Sequence, residues 1–212
     1  MMAGTAARQA EHIAAMRAVS VEDEARADWY ALFAALFSEP PSEARVARLA
    51  QAADCRDDSE LGQAWKHLGQ AVAIAGAPAI RAEFDDTFVG VGKAPVLPFA
   101  SYYLSGFLNE RPLVELRAHL AALGIGKRDD GGTTEDHIAT ICDVMSYLIR
   151  SDDPVLSQIA TQRQFFSRFI APWFEAFCDS VDDCDCTQVY KHVGRVLRIF
   201  LSVDRQAFDF DG

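Results

Sequence analysis

Long apolar segments are missing from this 212-residue chain, and basic residues are scarce. No window of about 18 apolar residues occurs, so we expect no stable membrane insertion. The N-terminal stretch MMAGTAARQAEHIAAM also lacks the continuous apolar core of a secretory signal peptide. Because 31 Asp and Glu outnumber 20 Lys and Arg, the net charge is −11. This charge argues against nucleic-acid binding and favours a basic partner.

Cysteine is also sparse, with five residues in the chain. A chain of this length does not need disulfide bonds to stabilise its core, so the odd count predicts free thiols in a reducing compartment. We therefore expect a cytoplasmic protein. Cys178, Cys184 and Cys186 lie close together in sequence, and a Cys-x-Cys pair can bind a soft metal. No fourth ligand is evident, and a metal or redox role for the three stays open.

The sequence lacks the common signatures of metal and nucleotide sites. It contains neither His-Glu-x-x-His nor Glu-x-x-His, the spacings typical of zinc proteases and di-iron bundles. Gly126-Lys127 fails the phosphate-loop pattern, because Ala121 stands where glycine is required and Arg128 stands where Ser or Thr is required. We predict no catalytic residue, no metal and no cofactor.

Helical periodicity runs through nearly the whole chain, and no segment alternates as a strand would. The sequence predicts an all-α fold, a single bundle of nine to ten helices spanning residues 21–212. Residues 1–20 form a weakly ordered N-terminal segment in this prediction. The charged, glycine-bearing stretch IGKRDDGGTT predicts a hinge near residues 124–134. Such a connector leaves both a monomer and a domain-exchanged dimer open.

Local signals predict where helices begin and end. Ser20 and Ser42 are expected N-caps, Pro78 and Pro112 expected first residues, and Pro172 an expected break. Thr133 or Thr134 is the expected cap of one later helix. Asp152 or Asp153, before Pro154, is the expected cap of the next. The last helix is expected to run from Thr187 to about Val203.

The stretch EFDDTFVGVGKAPVLPFASYY organises the rest of the chain. Its helical part carries Phe84 and Phe88 one turn apart and stops at Gly90, and a proline-bearing loop follows. Aromatic side chains held in a loop either fold back into the core or serve a partner.

Two further stretches complete a pattern. Asp136-His137 precedes an apolar helix, where the helix dipole suits an acid and disfavours a protonated histidine. By itself the pair is also typical of an N-terminal acid beside a partly exposed polar residue. QFFSRFIAPW carries Phe165, Pro172 and Trp173, which are typical of core aromatic residues before a proline break.

In combination, these stretches resemble the TorD/DmsD/NarJ family of molybdoenzyme maturation chaperones. The first stretch is similar to the family's x-Gly and Pro-Tyr-Glu-Ser-x-Tyr elements, the second to Glu-Pro-x-Asp-His, and the third to Phe-Leu-x-x-His-Leu-x-Pro-Trp. Departures from the family pattern occur at Thr87, Leu97, Ala100, Thr133, Thr134 and Phe169.

The resemblance implies a cytoplasmic chaperone that binds the twin-arginine signal peptide and the apo form of a molybdenum-cofactor oxidoreductase. Such a chaperone assists cofactor insertion and delays export. The resemblance also implies a peptide-binding groove, formed or supported by Phe84, Phe88, Pro98, Phe99, Ser101, Tyr103, Asp136, His137 and Trp173. Two alternatives are a helical metal-dependent enzyme that uses Asp136 and His137, and a non-catalytic scaffold subunit.

Overall fold

The computed structural model describes residues 20–90, 94–126 and 133–210, and over these residues the chain is helical without strands. The all-α prediction is confirmed. The described α-helices are α1 (Val21–Ser38), α2 (Glu43–Ala50), α3 (Glu60–Phe84), α4 (Ala100–Ser105), α5 (Arg111–Ala122), α6 (Ile138–Arg150), α7 (Ile159–Phe169), α8 (Phe174–Asp182) and α9 (Tyr190–Phe210). One hydrophobic core receives side chains from all nine.

Some predictions about the chain's organisation concern residues outside the described ranges. The expected N-terminal segment, residues 1–20, lies outside the described residues except for Ser20. The expected hinge near residues 124–134 lies mostly outside them as well, so the hinge stays a prediction. Among the described helices, none has both the length and the apolar character needed to cross a bilayer.

Serine caps start the first helices as predicted. The Ser20 hydroxyl oxygen accepts the Asp23 N–H at 3.0 Å, and the Ser42 oxygen accepts the Arg45 N–H at 3.3 Å. Each cap satisfies one of the amide groups that a helix leaves unpaired at its N-terminus. Pro112 is the second residue of α5, one position from the predicted start.

α3 contains the predicted break between two helical segments. Gly76 has φ 73° and ψ 165°, which is not helical, and Pro78 begins the second segment two residues later. A π-helical turn, Asp85–Val89, follows α3 and ends at Gly90. The φ of Gly90 is 61°, a value that glycine adopts without a Cβ clash.

The predicted start of α6 is wrong. The cap is His137, whose Nδ1 accepts the Ala139 N–H at 3.1 Å, rather than Thr133 or Thr134. Thr134 instead donates its hydroxyl to Asp136 at 2.6 Å. A carboxylate two residues along the chain therefore takes the hydroxyl that the capping rule assigns to the helix.

The predicted start of α7 is also wrong. The helix begins at Ile159, and neither Asp152 nor Asp153 caps it. The Asp153 carboxylate accepts the Val155 N–H at 2.8 Å, so it stabilises a turn around Pro154.

The break at Pro172 is confirmed, because the chain turns between α7 and α8 there. α9 begins at Tyr190 rather than Thr187, and it continues past Val203. The buried Glu83 carboxylate explains the later start, since it accepts the backbone N–H groups of residues 188, 189 and 190 at 2.7–3.0 Å. A side chain from α3 thus caps α9.

The expectation that all cysteines are free is wrong for one pair. Cys184 and Cys186 form a disulfide in the loop between α8 and α9, whereas Cys55, Cys142 and Cys178 are free thiols.

Candidate functional site

The segment that enters α4 docks on the segment that enters α6. The Ala100 N–H donates to the Asp136 carbonyl at 2.9 Å, and the Ile138 N–H donates to the Pro98 carbonyl at 2.8 Å. Phe99 and His137 face each other across this short antiparallel bridge. We call the contact between residues 98–101 and residues 134–138 the joint. It holds together two stretches that lie more than 30 residues apart in sequence.

Asp136 is the polar centre of the joint and is 1% exposed. One carboxylate oxygen accepts the Ser101 hydroxyl at 2.5 Å and the Ser101 N–H at 3.1 Å. The other accepts the Thr134 hydroxyl at 2.6 Å. A buried carboxylate is stable only when its oxygens are hydrogen-bonded, and these three donors meet that need.

His137 is buried beside Asp136, with 5% of its surface exposed, so the interpretation of a partly exposed residue is wrong. Its ring packs edge-on against Phe99, with 4.9 Å between ring centroids. Burial lowers the pKa of His137 to about 4, and the nearby Asp136 charge opposes this shift only in part. The imidazole is therefore neutral at pH 7, as its accepted hydrogen bond from Ala139 requires.

Several aromatic residues of the first and third stretches join one network of rings. Phe84 and Phe88 pack on each other at 5.3 Å, and Phe88 packs on Phe37 at 5.7 Å. Phe37 contacts Phe177 at 5.3 Å, and Phe177 contacts Tyr103 at 6.1 Å. Aromatic pairs at these separations prefer tilted or edge-on geometry, which most of these contacts show.

Trp173 closes the network on the other side. Its ring stacks on Tyr103 at 5.6 Å, and its indole N–H donates to the Phe169 carbonyl at 2.7 Å. The residue is 1% exposed. Trp173 therefore fixes the direction of α4 from within the core.

The structure brings the nine predicted site residues into one continuous region. Most of them lie inside it: Phe84, Pro98, Ser101, Asp136, His137 and Trp173 are buried. Phe88, Phe99 and Tyr103 are half-buried. Their contact with a peptide stays a prediction. The contacts described above are all between residues of the chain itself.

An exposed apolar segment next to the joint was missed by the sequence analysis. Residues 104–108, which we call the apolar turn, comprise the last two residues of α4 and the three that follow it. Leu104, Phe107 and Leu108 are 42%, 71% and 40% exposed. Gly106 ends α4 with φ 83°, and this left-handed step turns the next residues outward. The signal was present in the sequence, as a glycine that ends a helix before two large apolar residues.

A pocket of about 280 Å³ opens beside the apolar turn, lined by Leu104, Ser105, Arg111, Pro112, Glu115, Arg168 and Phe169. Glu115 accepts from Arg111 at 2.7 Å and lies 3.6 Å from Arg168, so its charge is already paired. Glu110 lies two residues after the turn in sequence and directly precedes Arg111 of the pocket, is exposed, and makes no ion pair among the described residues.

The described residues contain no group of three His, Cys, Asp or Glu side chains suited to a metal ion. At the joint, every Asp136 oxygen and the His137 Nδ1 have protein partners.

Sequence comparison places the chain among known proteins. The model of the nitrate reductase delta subunit family matches residues 54–179, more than half of the chain. The chain belongs to this family.

Two chaperones of the family illustrate the likeness. The chaperone protein TorD of Vibrio cholerae serotype O1 is 26% identical over 212 residues, covering 92% of this chain and 96% of TorD. TorD of Aliivibrio fischeri is 30% identical over 133 residues, covering 59% of this chain and 62% of TorD.

One crystal structure has the same fold. It is of a protein assigned as a redox enzyme maturation protein, from Archaeoglobus fulgidus, with a TM-score of 0.58 and 17% identity. The match covers 84% of this chain and 93% of that protein.

The family assignment confirms the resemblance drawn from the three stretches. The curated relatives are named chaperones, which confirms the prediction of a TorD-like chaperone and not an enzyme. The matched range contains the joint, the apolar turn and the rings of the network other than Phe37.

Proposed function

We propose that this TorD-family chaperone serves the maturation of a redox enzyme, by binding the twin-arginine signal peptide and the apo form of a molybdenum-cofactor oxidoreductase. It holds the client in the cytoplasm while cofactor is inserted and so delays export. The observation that carries the proposal is the exposed apolar turn, held on one side by the buried joint. This arrangement suits the binding of an apolar segment better than it suits catalysis.

The chemistry of the leader matches this surface. A twin-arginine leader is an arginine pair followed by an apolar run that can form a helix. Leu104, Phe107 and Leu108 offer apolar surface to the run, in the manner of a helix bound in a groove. Glu110 and the net charge of −11 attract the arginine pair.

In this proposal Asp136 and His137 act as positioning residues. Their polar atoms bond to Ser101, Thr134 and Ala139, so they fix the entry to α4 and hence the apolar turn. Phe84, Phe88 and Trp173 support the same segment through the ring network, while Phe99 and Tyr103 form the half-buried wall beside it.

The test is the affinity of a fluorescent twin-arginine leader peptide for the full chain, measured by anisotropy. Phe107→Ser removes the most exposed ring of the apolar turn, and we expect a loss of about tenfold or more. Ile74→Ser is the matched control, because Ile74 is 87% exposed on α3, which packs against α2 and α9. Equal affinity for wild type and Phe107→Ser would contradict the placement.

The peptide itself supplies the second arm. We expect weaker binding when the arginine pair is replaced by alanine, and weaker binding at high salt. A leader with a scrambled sequence that competes equally well would contradict leader recognition and favour the scaffold alternative. Stoichiometric metal in the purified chain, lost with Asp136→Ala, would favour the enzyme alternative.

A further inference from the structure

The disulfide between Cys184 and Cys186 is the feature that the chaperone function leaves unexplained. We propose that this pair is a thiol–disulfide exchange site, which reacts reversibly with neutral or cationic thiols. The proposal does not depend on leader binding, because it concerns the loop between α8 and α9. It rests on the position of the pair, on what else holds this loop, and on the charges around it.

The pair consists of two of the chain's three half-buried cysteines. Cys184 and Cys186 are both half-buried, so a small thiol can approach them. Cys142 and Cys178 are buried, and burial raises the pKa of both thiols, that of Cys178 to about 12. A thiol must ionise to react, so these two are inert. Cys55 is the other half-buried thiol, and it lies after α2, far along the chain.

This disulfide contributes little as a structural cross-link. It encloses a single residue, Asp185, and a cross-link stabilises mainly through the size of the loop that it closes. The loop is also fixed by other bonds. The Thr187 hydroxyl donates to the Val181 carbonyl at 2.8 Å, and the Thr187 N–H donates to the Cys184 carbonyl at 3.0 Å.

Glu83 fixes the downstream side of the loop in the same way, through the N–H groups of residues 188–190. The chain is thus held immediately after the cysteines by bonds that do not involve sulfur. Reduction can therefore proceed without unfolding, which is a requirement for reversible exchange.

Three exposed carboxylates flank the pair: Asp182, Asp183 and Asp185. Thiol–disulfide exchange begins with attack by a thiolate, and negative charge at the target slows an anionic reagent. The site therefore favours thiols that carry a compensating positive charge. The same preference holds for a protein dithiol with a basic surface.

The exchange is balanced as follows. An external thiolate attacks one sulfur, the Cys184–Cys186 bond breaks, a mixed disulfide forms, and the departing thiolate takes a proton. A second external thiolate then attacks the sulfur that the first external thiol contributed to the mixed disulfide. The remaining protein cysteine departs as a thiolate and takes a proton. Two electrons and two protons pass to the protein pair, and the external thiols become a disulfide.

The pair also contacts the stretch that contains Phe84 and Phe88, so its redox state can affect that stretch. The Cys186 sulfur lies 3.5 Å from the Thr87 hydroxyl, and Thr87 is fully buried in the π-helical turn beside Phe88. Reduction turns this sulfur into a thiol, which adds an S–H donor at the contact. Hydrogen exchange at residues 85–89 therefore provides a readout that an isolated loop would not move.

The first test counts thiols in the full, folded chain after equilibration in oxidised and reduced dithiothreitol of varied ratio. Maleimide labelling after denaturation, followed by mass measurement, should give three thiols in the oxidised chain and five in the reduced chain. We expect Cys184 and Cys186 to convert together as a two-electron couple. Five thiols at every ratio, or conversion only on unfolding, would overturn the proposal.

The second test compares three two-carbon thiols: cysteamine, 2-mercaptoethanol and 2-mercaptoethanesulfonate. Per thiolate, we expect cysteamine to reduce the pair about tenfold faster than the sulfonate at low salt. Asp185→Asn should narrow the difference without altering the thiol count. Equal rates for all three reagents would overturn the role of the carboxylates. In Cys186→Ser, the free Cys184 thiolate should attack cystamine, the disulfide of cysteamine, so that one cysteamine thiolate departs and a mixed disulfide stays on Cys184. Failure to form this mixed disulfide would overturn exchange at this pair.

Discussion

The joint and the apolar turn are neighbours in sequence, yet they treat their side chains in opposite ways. In the joint Ser101 is fully buried and Asp136 is 1% exposed, and their polar groups bond to each other. Leu104, three residues after Ser101, begins a turn whose Phe107 ring is 71% exposed. Polar groups are therefore used inside to fix position, and apolar groups are used outside to make contact. Changes in the joint should alter stability, whereas changes in the turn should alter binding.

The largest effect on stability should come from Asp136→Ala. The change leaves the buried Ser101 hydroxyl, the Ser101 N–H and the Thr134 hydroxyl without their acceptor. Each unpaired buried donor costs about 1–3 kcal/mol, and bonds to charged acceptors lie at the upper end. We expect the free energy of unfolding, measured by urea denaturation, to fall by about 4 kcal/mol.

Asp143→Ala is the control for that change, because Asp143 is exposed on the same α6. It should alter the free energy of unfolding by less than about 0.5 kcal/mol. A comparable loss in both variants would mean that Asp136 contributes no more than a surface carboxylate, and the contrast between joint and surface would fail.

The sequence predicted those parts of the fold whose partners are local. Ser20 and Ser42 bond to amides three residues away, so their caps follow from sequence alone. The break in α3 and the stop at Gly90 have the same origin, since backbone geometry at glycine and proline is intrinsic to those residues.

Some of the errors occur where a distant partner decides. α9 starts late because Glu83, more than 100 residues earlier, supplies the cap. Thr134 does not cap α6, because Asp136 takes its hydroxyl and is itself fixed by Ser101. The sequence found the residues of the joint by their likeness to a family. It did not reveal that Asp136 and Ser101 bond to each other, because that pairing depends on the docking of two segments.

The second prediction concerns the pH dependence that His137 gives to stability. Burial lowers its pKa in the folded chain to about 4, from an ordinary value of 6.5. As pH falls below 6.5, the unfolded chain binds a proton that the folded chain refuses until about pH 4. The stability is therefore fully present above pH 7 and is lost between pH 6.5 and 4.

His137→Asn tests this, because asparagine can still accept the Ala139 N–H but does not titrate. Between pH 7.5 and 5, we expect wild type to lose about 2 kcal/mol more of its unfolding free energy than the variant. Carboxylates contribute equally to both chains, so they cancel in the comparison. Parallel curves for the two proteins would contradict the burial of a neutral histidine.

A smaller effect is expected from Thr134→Val, which removes one hydroxyl from the joint and keeps the side chain's shape. Asp136 then loses a donor at 2.6 Å but keeps both bonds from Ser101. A single hydrogen bond to a charged group contributes about 1.5 kcal/mol, so we expect a loss near that value. In a double variant with Asp136→Ala, Thr134→Val should add almost nothing, because the two changes remove the same bond. Additive losses would show that Thr134 acts outside the joint.

The smallest effect on stability should come from Phe107→Ser, in the apolar turn. Its ring is 71% exposed, so little contact with the core is lost, and we expect a change in unfolding free energy below about 0.5 kcal/mol. The same variant is expected to bind the leader about tenfold more weakly, a loss of about 1.4 kcal/mol. Measured in one preparation, the change in unfolding free energy and the change in leader affinity show whether Phe107 contacts the peptide or stabilises the fold. A variant destabilised by 2 kcal/mol or more would mean that Phe107 belongs to the core, and the apolar turn would then lose its claim to be the binding surface.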